Sequence, residues 1–221
     1  METDRPKGLK IDLHVHTCYS GDSLTTLREL IAYSRMRGLD GVAVTDHDTV
    51  EGALNLLGRA GVEGLIIIPG IEVSTSMGHV LGLNITTPIP KGLDPAETVE
   101  RIHEAGGIAV EPHPPAPFKS SLGTGDYVSQ LGLDAIEVIN SSMVPFSLMS
   151  LLSRRLAERL NLPQTAGSDS HLPEAIGLAY ILIDVDPDVE EIIEGIRRGK
   201  AVPYGKPIPW GLRLKKIIRR G

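Results

Sequence analysis

Short β-type runs rich in Val, Ile and Leu alternate along the chain with segments whose apolar residues recur every three or four positions. LKIDLHVH (9–16), GVAVTD (41–46), GLIIIPGIEVS (64–74), HVLGLNI (79–85), GGIAVEPH (106–113), DAIEVINS (134–141), QTAGSD (164–169) and GLAYILIDV (177–185) read as strands. Segments 24–37, 95–105, 146–160 and 188–198 carry the helical spacing, and each can cover one face of a sheet. The end signals agree: Asp94-Pro95 supplies an N-cap and a first-turn proline, while Gly38, Gly106 and Gly199 stand where C-terminal caps belong. Such alternation favours a parallel sheet wrapped by helices. No Pro-, Gly- or Ser-rich linker divides the pattern and no repeat of fixed period runs through it. The expectation is one domain over 1–221, with 1–8 as an N-terminal tail and 206–221 as a basic tail or closing helix. The fold class is α/β and the architecture a barrel, short for eight full units at the typical ~250 residues.

Composition limits what surrounds that fold. At 221 residues and 41% hydrophobic content, the chain can bury one substantial core. The net charge of −6, with no long basic run before the last ten residues, does not advertise broad attraction to nucleic acid, and a small substrate fits better. A single cysteine forms no internal disulfide, and METDRPKGLK lacks the apolar stretch of a signal peptide, which points to the cytoplasm. No apolar run approaches the roughly 18 residues of a membrane span.

The histidines change the picture. Six of the seven sit in five short segments: His14-Val15-His16, Asp46-His47-Asp48, Gly78-His79-Val80, Pro112-His113-Pro114 and Asp169-Ser170-His171. Imidazole and carboxylate suit zinc, manganese and iron, and a cluster this rich implies two or three divalent ions. His14 and His16 are two apart, so in a strand they leave the same face. Glu72 ends another β-type run, and Asp169 and His171, again two apart, follow a third. Strand ends converge on one face of a β/α barrel, so these residues can meet there.

The motifs DLHVHTCYSGDS (12–23), GVAVTDHDT (41–49), PGIEVS with HVLGL (69–83), VEPHP (110–114), IEVIN (136–140) and AGSDSH (166–171) together resemble the polymerase and histidinol phosphatase (PHP) family of metal-dependent phosphoesterases. The resemblance implies a distorted seven-unit barrel and a trinuclear centre of manganese, iron or zinc. It implies one ion held by His14, His16, Glu72 and Asp169, a second by Glu72, His79 and His113, and a third by Asp22, His47 and His171. Glu72 would bridge two ions, and the reaction would be phosphoester hydrolysis by a metal-activated hydroxide. Whether a metal-bound water, His47 or His171 protonates the leaving alcohol stays open at this level. The large insertion that some members carry before the PHP segment is missing here, so the cover expected is the segment 114–127, with Lys119 able to meet a phosphate. Asn140 is expected to face the site and contact substrate.

Single residues need separate readings. His103 lies outside every motif and is assigned no metal. Asp12 can orient imidazoles or simply end on the opposite strand face; Asp46 can orient imidazoles or cap a helix beginning near Thr49, and Asp48 reads as a cap for that helix. Cys18 reads as a small buried residue and not as a nucleophile. The favoured activity is a phosphomonoesterase acting on a small phosphorylated metabolite or nucleotide. The alternatives are a phosphodiesterase or nuclease with the same cluster, supported only by the basic tail RLKKIIRRG, an amidohydrolase-like metal hydrolase, and a non-catalytic scaffold. The sequence carries no signal of oligomeric state.

Overall fold

A computed structural model of the chain describes residues 8–57, 64–114 and 121–220. The elements run β1 (Leu9–Val15), α1 (Leu27–Met36), β2 (Gly41–Val44), α2 (Glu51–Leu57), β3 (Ile66–Ser74), β4 (His79–Leu83), α3 (Pro95–Glu104) and β5 (Ile108–Glu111). Then follow β6 (Ala135–Asn140), α4 (Phe146–Leu160), β7 (Gln164–Gly167), β8 (Ala179–Ile183), α5 (Val189–Arg197), β9 (Val202–Gly205) and α6 (Trp210–Arg220). Helix ends follow the expected chemistry. Thr26 and Glu29 form a capping box on α1, the Asp94 and Asp188 carboxylates accept amides at the starts of α3 and α5, and Gly38, Gly106 and Gly199 all have positive φ.

The strands lie in the order β7-β6-β5-β4-β3-β2-β1-β8-β9, and the sheet curls into a nearly closed α/β barrel. Closure comes where the chain beyond β7 meets β1: the Asp169 amide donates to the His14 carbonyl (2.8 Å) and the His16 amide to the Ser170 carbonyl (3.0 Å). Two features depart from an all-parallel sheet. The β4 strand is antiparallel to both β3 and β5, and β8 and β9 continue antiparallel from the N-terminal half of β1. For β3 and β4 the reason is connection length: residues 75–78 can close a hairpin, whereas a parallel return needs a dozen or more residues. The short strand β9, sequence VPYG, escaped the pattern because Pro203 and Gly205 break any alternation, and an edge strand tolerates them.

Alternation along β1 separates core from site. Val15 joins Leu27, Leu30, Ala53 and Leu56 in an apolar cluster with α1 and α2, while His14 faces the barrel interior. Among the described residues no helix is long and apolar enough to cross a membrane.

Candidate metal centre

All nine side chains expected as ligands come to one rim of the barrel. His47 follows β2, and the chain there still pairs with β3, the Glu72 amide donating to the Asp46 carbonyl (3.1 Å) and the Asp48 amide to the Glu72 carbonyl (3.0 Å). Because β4 runs backwards, its first residue, His79, sits opposite Ser74 at the same rim. His113 follows β5, and Asp169 and His171 follow β7. His113 (φ 39°) and Asp169 (φ 50°) hold left-handed backbone, which costs a non-glycine residue about 1–3 kcal/mol and is tolerated where the surroundings enforce it.

Glu72 is the hub. It is 1% exposed, and its two oxygens face different partners. One lies 3.3 Å from His14 Nε2, 3.1 Å from His16 Nε2 and 3.3 Å from His47 Nδ1. The other lies 2.9 Å from His79 Nδ1 and 3.1 Å from His113 Nε2. Asp169 Oδ1 stands 3.5 Å from His16 Nε2 and 3.4 Å from His171 Nδ1, and Asp22 Oδ2 stands 2.8 Å from His171 Nε2. Three sets, His14/His16/Asp169, His47/Glu72/His79 and His16/Asp22/His47/His171, each bring one donor atom per residue within 4.8 Å of one another. His14, His16, His113 and Asp169 are buried and form the floor, whereas His47, His79, His171 and Asp22 are part-exposed and line the mouth.

Outward hydrogen bonds set which nitrogen points inward. Glu137 Oε1 lies 3.1 Å from His14 Nδ1 and accepts its N–H, which leaves Nε2 facing Glu72. The Ser20 hydroxyl donates to Asp46 (3.0 Å), so it accepts from His16 Nδ1 (2.9 Å) and from the His47 amide (2.9 Å). Asn140 donates to Glu137 (2.9 Å) and Asp169 (3.2 Å), and the Ser142 hydroxyl donates to Asp169 (2.6 Å). Imidazoles and carboxylates, aimed at common points and braced from behind, are the donor set that borderline divalent ions take.

Burial disfavours a charge on His14, but Glu137 and Glu72 more than offset it and push its pKa up to about 10, so with no cation beside it His14 carries the charge that balances the two carboxylates. Glu72 lies well below the ordinary carboxylate range, because His14, His113 and His16 outweigh its burial. For His47 burial dominates and holds the imidazole down to about 4, so it is neutral at pH 7. The site thus concentrates negative charge that favours cations.

Several expectations landed elsewhere. Asn140 is fully buried, donates to Glu137 and Asp169, and is not among the residues lining the cavity above the cluster. Lys119 lies outside the described residues, as do the rest of residues 115–120 of the expected covering segment. Among the described residues, Ile208, Trp210, Leu212 and Arg213 line the cavity. Asp48 does not cap α2: it holds the amide and hydroxyl of Ser74 (2.7 and 3.0 Å), and Thr49 receives the Glu51 amide (3.2 Å). Asp12 accepts the backbone amides of Ser168 and Gly177 (2.8 Å each) and so ties β1 to the chain after β7. Cys18 is exposed, in a short turn after β1. His103 is exposed and pairs with Asp134 at 2.7 Å. Glu137 was missed as a positioning residue, although a carboxylate inside the apolar strand AIEVIN is a visible signal.

Histidines and carboxylates gathered at one mouth of an α/β barrel define a metal-dependent hydrolase class. The chain belongs to the PHP family: the PHP domain matches residues 12–114 and the PHP-associated region residues 151–201. An uncharacterised protein of Methanocaldococcus jannaschii is 38% identical over 143 residues, covering 60% of this chain and 82% of that protein. A 3',5'-nucleoside bisphosphate phosphatase of Chromobacterium violaceum is 36% identical over 91 residues, covering 39% of this chain and 29% of that protein. In fold, the chain matches a two-domain protein of Bacteroides vulgatus containing a predicted PHP-like metal-dependent phosphoesterase, with a TM-score of 0.74 at 18% identity over 97% of this chain and 71% of that one.

Proposed function

We propose that the protein is a phosphomonoesterase acting on a small phosphorylated metabolite or nucleotide. The observation that carries this reading is the divided Glu72 carboxylate, one oxygen toward His14 and His16 and the other toward His79 and His113. In this reading His14, His16, Glu72 and Asp169 hold one divalent ion, Glu72, His79 and His113 a second, and Asp22, His47 and His171 a third. Manganese, iron or zinc suits those donors, and the bound ions would supply Lewis acidity, lowering the pKa of a water and neutralising phosphate oxygens.

The chain's own groups do the rest. Glu137 and Ser20 keep His14 and His16 in the tautomer that presents Nε2 inward, and Asn140 and Ser142 fix the Asp169 carboxylate. His47 and His171 line the open mouth beside Asp22. The test is hydrolysis of a chromogenic phosphomonoester and diester by chelator-stripped protein, with Mn²⁺, Fe²⁺, Zn²⁺ or Mg²⁺ restored singly. Metal-restored monoester turnover that Glu72→Ala abolishes, with the fold intact, is expected. Near-normal turnover by that variant sinks the cluster as drawn. A diester preference would move the reading to a nuclease, for which the basic run RLKKIIRR is the supporting observation.

A further inference from the structure

The cavity above the cluster holds about 500 Å³, within the range that encloses a whole small ligand and far beyond what a bare phosphate fills. Its lining is of two kinds. The histidines and carboxylates of the centre supply polar lining; Leu172, Ala175, Ile208, Trp210 and Leu212 supply apolar lining of the same cavity.

Trp210 dominates that apolar lining, and it is the only tryptophan in the chain. It is 70% exposed, an unusual position for the side chain with the most apolar surface to hide. Its backbone is nevertheless firmly placed. Arg213 donates to the carbonyls of Ser142 (2.9 Å), Ser141 (3.1 Å) and Ile208 (3.1 Å), and the Ile208 amide donates to the Ser141 carbonyl (2.8 Å). Lys215, further along α6, pairs with Glu174. The start of α6 is therefore held to two other segments of the chain. Three Arg213 N–H donors go to backbone carbonyls, so its side chain positions the wall. Its guanidinium lies 5.6 Å from the centre of the Trp210 ring, which restrains the ring while leaving most of its surface open.

We propose that Trp210 is a stacking platform for the leaving group, and that the enzyme selects phosphomonoesters whose alcohol portion carries a flat aromatic ring. This deepens the phosphatase reading and rests on it. A ring lying on Trp210 hides apolar surface on both partners, whereas an aliphatic polyol phosphate gains nothing from it.

Two measurements test the proposal separately from the activity beneath it. The first is fluorescence of the single tryptophan in Zn²⁺-loaded protein, titrated with the hydrolysis-resistant methylene phosphonate of adenosine 5'-monophosphate and, in parallel, with glycerol 3-phosphate. Saturable quenching by the adenosine compound alone is expected, and equal or absent responses overturn the platform. The second compares Trp210→Ala and Trp210→Phe on adenosine 5'-monophosphate, phenyl phosphate and glycerol 3-phosphate. Trp210→Ala is expected to lower kcat/KM at least about tenfold on the two aromatic substrates, mostly through KM, and to leave glycerol 3-phosphate within about twofold. Trp210→Phe should recover much of the loss. Loss on adenosine 5'-monophosphate alone narrows the class to nucleotides, and loss on both admits other aryl phosphates. A uniform loss on all three, or none, overturns the proposal. Silence of the unmutated enzyme on every phosphoester and metal sinks the phosphatase reading instead, and the quenching result stands apart from it.

Discussion

Glu137 makes the clearest case that a residue can matter to this site without touching a substrate. Its carboxylate holds His14 Nδ1 and the His113 backbone amide (2.9 Å), so it orients members of two proposed ion sites at once. Glu137→Gln keeps the shape but weakens the acceptor, and a loss of about 10–100-fold in metal affinity or activity is expected, read by metal content after dialysis and by rate. Glu111 is the opposite kind of buried acid: fully inaccessible, with neither oxygen hydrogen-bonded among the described residues, and burial pushes its pKa up to about 8. Because that value lies above the ordinary 4.5, the unfolded chain releases its proton first as pH rises. Folding stability is then lost progressively from about pH 4.5 to 8, by at most about 1.4 kcal/mol per pH unit. Glu111→Gln should remove that slope, so denaturant unfolding at pH 5 and pH 8 should show the variant gaining on the parent as pH rises. A constant difference would mean that Glu111 is not protonated in the folded state.

Elements carry the site as much as residues do, and β7 shows how. A Cβ at Gly167 would lie 2.2 Å from His14 Cβ and 2.7 Å from Glu137 Oε1, so only glycine lets β7 come this close to β1 and β6. Gly167→Ala must push His14 or Glu137 aside. A loss of about 1–3 kcal/mol in stability is expected, together with weakened metal retention, measured by chemical denaturation and metal analysis. Unchanged metal content would show that the close approach does not serve the centre. The β3–β4 hairpin makes a similar contribution by reversal: an antiparallel β4 delivers its first residue, His79, to the rim that the parallel strands reach with their last.

At the scale of the molecule, a barrel mouth lined with carboxylates and imidazoles couples stability to cations. Divalent ions that bind the folded chain should raise its stability, and a chelator should lower Tm by about 2–4 °C for each kcal/mol of binding removed, with recovery on adding Mn²⁺ or Zn²⁺. An indifferent Tm would argue against occupied metal sites. Much of this molecule is local and therefore legible along the chain. Strand and helix segments follow from side-chain periodicity and caps, and the donor residues declare themselves because His, Asp and Glu are rare at the ends of apolar runs. Three things depended on contacts between distant segments and had no local signature. One is strand direction, set at β3–β4 by how short a loop the chain could close. Another is the bracing of His14 by Glu137: the acid stands out within its strand, but a hydrogen bond across 123 residues leaves no spacing that names its partner. The last is the wall of the cavity, where α6, expected only as a basic tail or closing helix, returns to set Trp210 beside the cluster. The chain by itself determined which chemistry was present, because that is a property of side chains. The tertiary structure decided what faces what, because that is a property of how strands are ordered and how the ends of the chain pack back upon them.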